Sequence, residues 1–204
     1  FELVDMPAPE FFVHVDGSTA THRNVDGTLV PIDSETTTYP NVGKPFHSVP
    51  GQTIQLEMAG ETFDVNLPPI TLSDIQQLSA TETTQVGFGA AGLAELRQMF
   101  PDADPAVFEA MQVTFEPGSA VFDDGTASTT ATIIPVPPDK LPAPLPAGLN
   151  PALVVSIQAG GATSFDVAAP VSFPNLQGFT PGEHVSIVSF DHDRGAWRPV
   201  ASGF

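Results

Sequence analysis

Cysteine is absent from the 204 residues, which excludes disulfides, thiolate metal sites and thiol nucleophiles together. A chain of this length can bury a core without the covalent staples of small secreted domains. Basic residues are scarce: six Lys and Arg stand against 24 Asp and Glu, for a net charge of −18. The acids are spread evenly, thirteen in residues 1 to 100 and eleven after, so an acidified surface is expected and not an acidic tail. Such a field repels nucleic acid and anionic membranes, whose binding needs basic patches. Divalent cations and basic partners are the species it attracts. Long apolar runs are missing too: none approaches the roughly 18 to 20 residues of a membrane span, and no basic-then-apolar leader opens the chain. HExxH, GxSxG, Walker A and GxGxxG signatures are absent, so no enzymatic activity is expected. The carboxylate pairs of glycoside hydrolases carry no such signature and stay open as an alternative.

What the sequence does contain is punctuation. Twenty-two prolines and seventeen glycines separate short runs of Val, Ile, Phe and Thr, the pattern of many short strands joined by turns. In the first part the alternation places strands near Glu10 to Val15, Thr28 to Ile32, Thr53 to Met58 and Thr62 to Leu67, the last two forming a hairpin about Gly60-Glu61. Between Thr71 and Gln112, Ala, Leu, Gln and Glu replace the β-branched residues, and two short helices fit. Leu93, Leu96, Met99 and Phe100 fall at helical spacing with Pro101 closing the segment. Asp104-Pro105 then reads as an N-cap with proline at the first helical position, opening a turn or two that carries Val107, Phe108 and Met111.

Strand patterning resumes at Val113 to Phe115, Ser128 to Val136, Leu153 to Gln158, Pro170 to Phe173, Val185 to Phe190 and Trp197 to Ala201, a spacing that suggests a sandwich. The stretch from Pro135 to Pro146 is too proline-rich for a sheet interior and is expected to be a semi-rigid crossover of polyproline II character. The fold class predicted is all-β: two β-sandwich-like lobes, residues 1–85 and 112–204, with a short helical connector over 86–111. The strand-like Trp197 to Ala201 stretch near the last residue, and Phe1 in place of a methionine, lead us to expect a piece of a longer polypeptide.

Candidate sites are few. Calcium wants hard oxygen ligands, and Asp191, Asp193 and Gly195 echo the start of a DxDxDG loop, without its third acid or its closing Glu. Asp123-Asp124-Gly125 is a second weak calcium candidate. Both are more often simple turns, since Asp accepts backbone hydrogen bonds and Gly supplies positive φ. His14, Asp16 and His22 are close enough to converge across a hairpin on zinc or copper. Lys44 and Lys140, the two lysines, lie beside prolines and are expected in loops, away from any isopeptide crosslink. Tyr39 and Trp197 could stack on a sugar, although Trp197 in Gly195-Ala196-Trp197-Arg198-Pro199-Val200 reads first as core.

Three pieces of the second half carry a family likeness: Val113-Thr114-Phe115-Glu116-Pro117-Gly118-Ser119-Ala120, then Ala162-Thr163-Ser164-Phe165 leading into Pro170-Val171-Ser172-Phe173-Pro174, then Val188-Ser189-Phe190-Asp191-His192-Asp193 followed by Gly195-Ala196-Trp197. In this order they resemble the ZU5-like β-sandwich segments of large modular surface proteins, over about residues 112–204. Asp16-Gly17 and the Pro40 to Pro50 stretch look like parts of an Ig-like neighbour in a multidomain bacterial surface protein. The resemblance implies a non-catalytic structural, spacer or adhesion module, extracellular or at the cell surface. Its partners would be neighbouring domains of the same chain, a second copy of itself or a cell-surface glycan. The alternatives from other classes are a carbohydrate-binding or carbohydrate-active module and a self-assembling filament or surface-layer subunit.

Overall fold

A computed structural model of the chain describes residues 10–15, 21–23, 26–31, 33, 35–40, 42–47, 57–58, 61–62, 68–162, 164–191 and 194–203. Among them the fold is all-β, built from short strands in small antiparallel sheets with one α-helix. The strands of the first part are β1 (Glu10–Val15), β2 (Thr21–Arg23), β3 (Leu29–Pro31), β4 (Thr37–Thr38), β5 (Val42–His47), β6 (Glu57–Met58) and β7 (Glu61–Thr62). Those that follow are β8 (Ile70–Thr71), β9 (Gln76–Gln77), β10 (Thr84–Gly87), β11 (Gln112–Phe115), β12 (Ala120–Val121), β13 (Thr130–Pro135) and β14 (Val155–Gln158). The last are β15 (Ser164–Phe165), β16 (Val171–Ser172), β17 (Val185–Asp191) and β18 (Ala196–Gly203), and the helix α1 is Ala90–Met99.

In the first part β1 forms as expected, but it pairs with β5, while β2 pairs with β3. His14 stands opposite Gly43 and His22 opposite Val30, so the two histidines belong to different ladders and not to one hairpin. Lys44 is a correction as well: it lies inside β5 opposite Val13, with Pro45 next to it opposite Phe12. A two-stranded sheet has a free edge on each strand, and a proline is tolerated there. In the expected hairpin, Glu57 pairs with Thr62 and Met58 with Glu61, so Glu61 belongs to the second strand and not to the connection. The remainder of that hairpin, residues 53–56 and 63–67, lies outside the described residues.

The core sits where β10, β11, β12 and β13 meet. Val113 and Phe115 are buried in β11 while Gln112 and Thr114, which alternate with them, are half-exposed, the alternation of a sheet with one face covered. They pack with Val86, Met111, Ala120, Ala131, Ile133 and Ala159 in one cluster. Full burial of the Val, Ile, Met and Phe side chains in it contributes roughly 1.5–3 kcal/mol each. Ladder order fixes the partners: β11 lies between β10 and β16, β13 lies between β14 and β9, and β12 pairs with β15. Residue 85, where the first lobe was expected to end, falls within β10, which pairs with β11 along its whole length.

β13 is buried on both faces, from Ala131 to Pro135 without a break. Its second face is covered by α1 and by a 3-10 turn at Leu72–Asp74. Gly92 faces this contact, where a Cβ would meet the Pro135 ring at 3.4 Å and Phe88 at 3.5 Å, ordinary van der Waals distances. Pro135 corrects the expectation that the whole stretch from 135 to 146 avoids a sheet. It pairs with Val155, and the Val136 N–H donates to Val154 at 2.9 Å. Donor directions alternate along a strand, so Pro135 turns its N–H-less nitrogen away from β14 and no ladder bond is lost. The rest of the crossover is irregular, with a 3-10 turn at Pro138–Lys140 that holds Lys140.

Both expected helical segments form. Leu96 is fully buried in α1, and the helix ends where the Phe100 N–H returns to the Leu96 carbonyl just before Pro101. The second is a 3-10 helix, Pro105–Ala110, capped by Asp104 accepting from the Ala106 N–H at 3.0 Å. It brings Phe108 into the core, with its ring 5.5 Å from that of Phe100.

Candidate functional site

Asp191 closes β17 at the tip of the β17–β18 hairpin, opposite Ala196. Its Oδ1 accepts the Arg194 N–H at 3.1 Å, and its Oδ2 accepts Arg198 Nη1 at 3.3 Å with Arg194 Nε at 3.9 Å. Two of the six basic residues in the chain therefore face one carboxylate. Exposed pairs of this kind are worth about 0–1 kcal/mol, yet they place positive charge where a calcium ion would have to sit. Asp193 and His192 lie outside the described residues, as does Asp16. The side chains of His14, His22 and Lys44 are likewise outside the description.

Asp123 and Asp124 lie between β12 and β13 in a turn closed by hydrogen bonds from Phe122 N–H to Thr126 O and from Gly125 N–H to Phe122 O, both at 2.9 Å. Gly125 takes φ +80°, which is why glycine stands there. Asp124 Oδ1 accepts both the Thr126 N–H, at 2.9 Å, and the Thr126 hydroxyl, at 2.7 Å. The hydroxyl and then the N–H hold its carboxyl below the ordinary value of 3.8, because both bonds favour the charged form.

The most deeply buried acid among the described residues was not singled out by sequence reasoning. Asp74 is 2% exposed and stands at the N-terminus of α1, where its Oδ2 accepts from the Gly92 N–H at 3.0 Å and its Oδ1 from the Ala91 N–H at 3.3 Å. Its own carbonyl accepts the Thr132 hydroxyl at 3.2 Å, tying the 3-10 turn to β13. The helix opens on Gly89 with no side-chain cap of its own, so Asp74 acts as the cap from seventeen residues away. A sequence signal existed: Gly89-Ala90-Ala91-Gly92 begins a helix with no local acceptor, and such an end requires one from elsewhere.

Two clefts flank β13. One, of about 340 Å³, lies between α1 and the strand and is lined by Thr71, Glu95, Gln98 and Ile134 among others. The other, of about 280 Å³, is lined by Tyr39, Ile70, Thr130, Gln158 and Gly160, and none of its described lining residues carries a charge. Trp197 is fastened elsewhere: its ring meets Phe190 edge-on at 5.5 Å, and its Nε1–H donates to the Ala143 carbonyl at 3.2 Å. It thus clips the proline crossover onto the hairpin.

Among the described residues no group of three or more His, Asp and Glu is arranged to hold a metal, and no helix is long and apolar enough to cross a membrane. Comparison with protein-family models, with curated proteins and with solved structures finds no match to this chain.

Proposed function

We propose that this chain is a non-catalytic structural, spacer or adhesion module of an exported or cell-surface multidomain bacterial protein. The observation that carries the reading is where its carboxylates go. Asp74 and Asp104 cap helical segments, Asp124 closes a turn, and Asp191 binds the backbone and two arginines of a hairpin. Acids that perform chemistry keep a carboxylate face free for a ligand; these four hold N–H groups of the fold, Asp74 included although it borders the cleft beside α1. Dense proline limits loop entropy in the same direction, and the resemblance of residues 112–204 to ZU5-like segments supplies the surface-protein context. Calcium enters this reading as part of the diffuse cation atmosphere that a charge of −18 attracts.

The test is a screen of the purified chain against a panel of glycoside and ester substrates, together with single-molecule pulling of tandem copies. A spacer unfolds cooperatively under force and turns over none of the substrates. Turnover abolished by a single Asp-to-Asn or Glu-to-Gln substitution would sink the structural reading.

One observation favours a carbohydrate-binding alternative. No described residue lining the cleft beside Tyr39 carries a charge, on a strongly acidic chain, and the cleft offers an aromatic ring with the Gln158 amide and the Thr130 hydroxyl, groups that suit a neutral sugar ring. A glycan array probed with the native chain and with Tyr39→Ala decides it. Binding that disappears in the variant supports the alternative, and an array without hits retires it.

A further inference from the structure

The sequence has three Asp–Gly dipeptides, Asp16–Gly17, Asp26–Gly27 and Asp124–Gly125, and each is followed directly by a hydroxyl residue: Ser18, Thr28 and Thr126. The first lies outside the described residues. The other two share one geometry. In both, the threonine N–H donates to the aspartate Oδ1 at 2.9 Å and the threonine hydroxyl donates to the same oxygen at 2.7 Å. The intervening glycines take φ +84° and +80°.

Among aspartyl dipeptides Asp–Gly is the most open to spontaneous rearrangement, because glycine has no Cβ to keep its nitrogen from the preceding carboxyl. The reaction is balanced within the chain and water. The glycine nitrogen loses its proton and bonds to the aspartate Cγ, and a protonated carboxyl oxygen leaves as water, closing a succinimide. Water then adds back to one of the two ring carbonyls, restoring aspartate or giving isoaspartate, whose backbone runs through Cβ and Cγ. No atom is gained or lost overall, and no oxidant or cofactor takes part.

We propose that Asp124–Gly125 is a spontaneous isoaspartate site held closed by Thr126, intact while the turn is formed and rearranging when the turn opens. Both reacting groups are occupied in the folded chain. Thr126 holds Oδ1 with two donors, and the Gly125 N–H that would have to be surrendered donates to the Phe122 carbonyl at 2.9 Å. Burial contributes nothing to the protection, since Asp124, Gly125 and Thr126 are all exposed; the hydrogen bonds alone supply it. The lowered protonation of Asp124 acts in the same direction, because water leaves only from a protonated carboxyl. Isoaspartate here would lengthen the chain by one backbone carbon between β12 and β13, beside the bridge of Val121 to Ala127.

The experiment ages the native chain, Thr126→Val and Thr126→Ser at 37 °C and neutral pH. Isoaspartate at residues 26 and 124 is counted by peptide mapping with electron-transfer fragmentation, in buffer and in denaturant. Valine removes the hydroxyl donor and keeps the N–H, whereas serine keeps both. Folded Thr126→Val should accumulate isoaspartate at residue 124 roughly fivefold faster than the native chain, the factor that one hydrogen bond corresponds to. Thr126→Ser should match the native chain, and all three should react alike in denaturant. Asp26–Gly27 is the internal control: an equal rise there in Thr126→Val would mean general unfolding and would overturn the local guard. Equal rates for the native chain and Thr126→Val, or a native rate unchanged by denaturant, would overturn it too.

Discussion

The carboxylate of Asp74 occupies the space that a Cβ on Gly89 would need, and from there it accepts the N–H groups that open α1. The two residues form one device, since the helix lacks a cap side chain because the cap arrives from the 3-10 turn. Asp74→Ala removes the acceptor and is expected to destabilise the chain by about 2 kcal/mol, between the loss of a cap and the stranding of buried donors. Gly89→Ser alone should also destabilise, because its side chain collides with the carboxylate. Gly89 has φ −78° and ψ −179°, a backbone any residue adopts, so the collision is the only objection to serine. Alanine at 74 keeps the Cβ, which lies in that same space, so the collision is relieved only with Asp74→Gly, where the serine hydroxyl can then cap locally. The expected urea-unfolding result is an Asp74→Gly/Gly89→Ser double variant more stable than Asp74→Gly alone; simple additivity of the two losses would contradict the shared-space account.

Ser119 predicts an effect of the opposite sign. It is 3% exposed, and its hydroxyl has no hydrogen-bond partner among the described residues, a condition that costs roughly 1–3 kcal/mol. Its backbone is well used, with its N–H donating to Glu116 and its carbonyl accepting from Asp166. Ser119→Ala should therefore leave the strand ends in place and raise the thermal midpoint. A lowered midpoint would show that the hydroxyl has a partner, an ordered water being the simplest.

What was legible in the sequence is what local physics decides. Val113 and Phe115 alternate with polar neighbours, and β11 forms there; Asp104-Pro105 announces a helical start, and the cap bond is made. Pro135 and Lys44 were misplaced because proline excludes only a ladder position whose N–H must donate, and which positions those are depends on partners the sequence does not name. Asp74 was missed for a related reason. Its role rests on Gly92 and Thr132, distant by 18 and 58 residues, and a lone Asp in Leu72-Ser73-Asp74 looks like any turn acid. The aspartates that were singled out owed it to their glycines, and Asp124 does stand in a turn of the kind an Asp-Gly pair implies.

The matched turns at Asp26 and Asp124 predict an acid limb. Hydrogen bonds from Thr28 and Thr126, the hydroxyl first and then the N–H, hold both carboxyls below their ordinary value of 3.8. A carboxyl with a depressed value in the folded state binds protons less readily than in the unfolded chain. Its contribution to stability is thus fully present above the ordinary value and is lost as the pH falls below it, through the folded value. Both groups are fully exposed, so the effect belongs to the turns and is screened by salt. Carboxyl-carbon NMR titration should find both midpoints below 3.8, each moving upward in its own variant, Thr28→Val or Thr126→Val. Midpoints that ignore the substitutions would remove threonine as the cause.

Asp191 decides how calcium should behave. Its two carboxylate oxygens already bind the Arg194 N–H and the Arg198 guanidinium, so a calcium ion there would have to displace one positive group and sit near another. The remaining acids act through the net charge of −18, and a diffuse field distinguishes divalent ions by charge and not by identity. Thermal unfolding in millimolar calcium and in magnesium at equal ionic strength should therefore give the same midpoint. Arg198→Gln frees one side of the carboxylate and provides the sharper comparison, since calcium selectivity that emerges only in this variant would show the arginine to be what excludes the ion. A rise of several degrees specific to calcium in the native chain would instead require a ligand set that binds only the folded form, and its loss in Asp123→Asn or Asp124→Asn would place that set in the turn before β13.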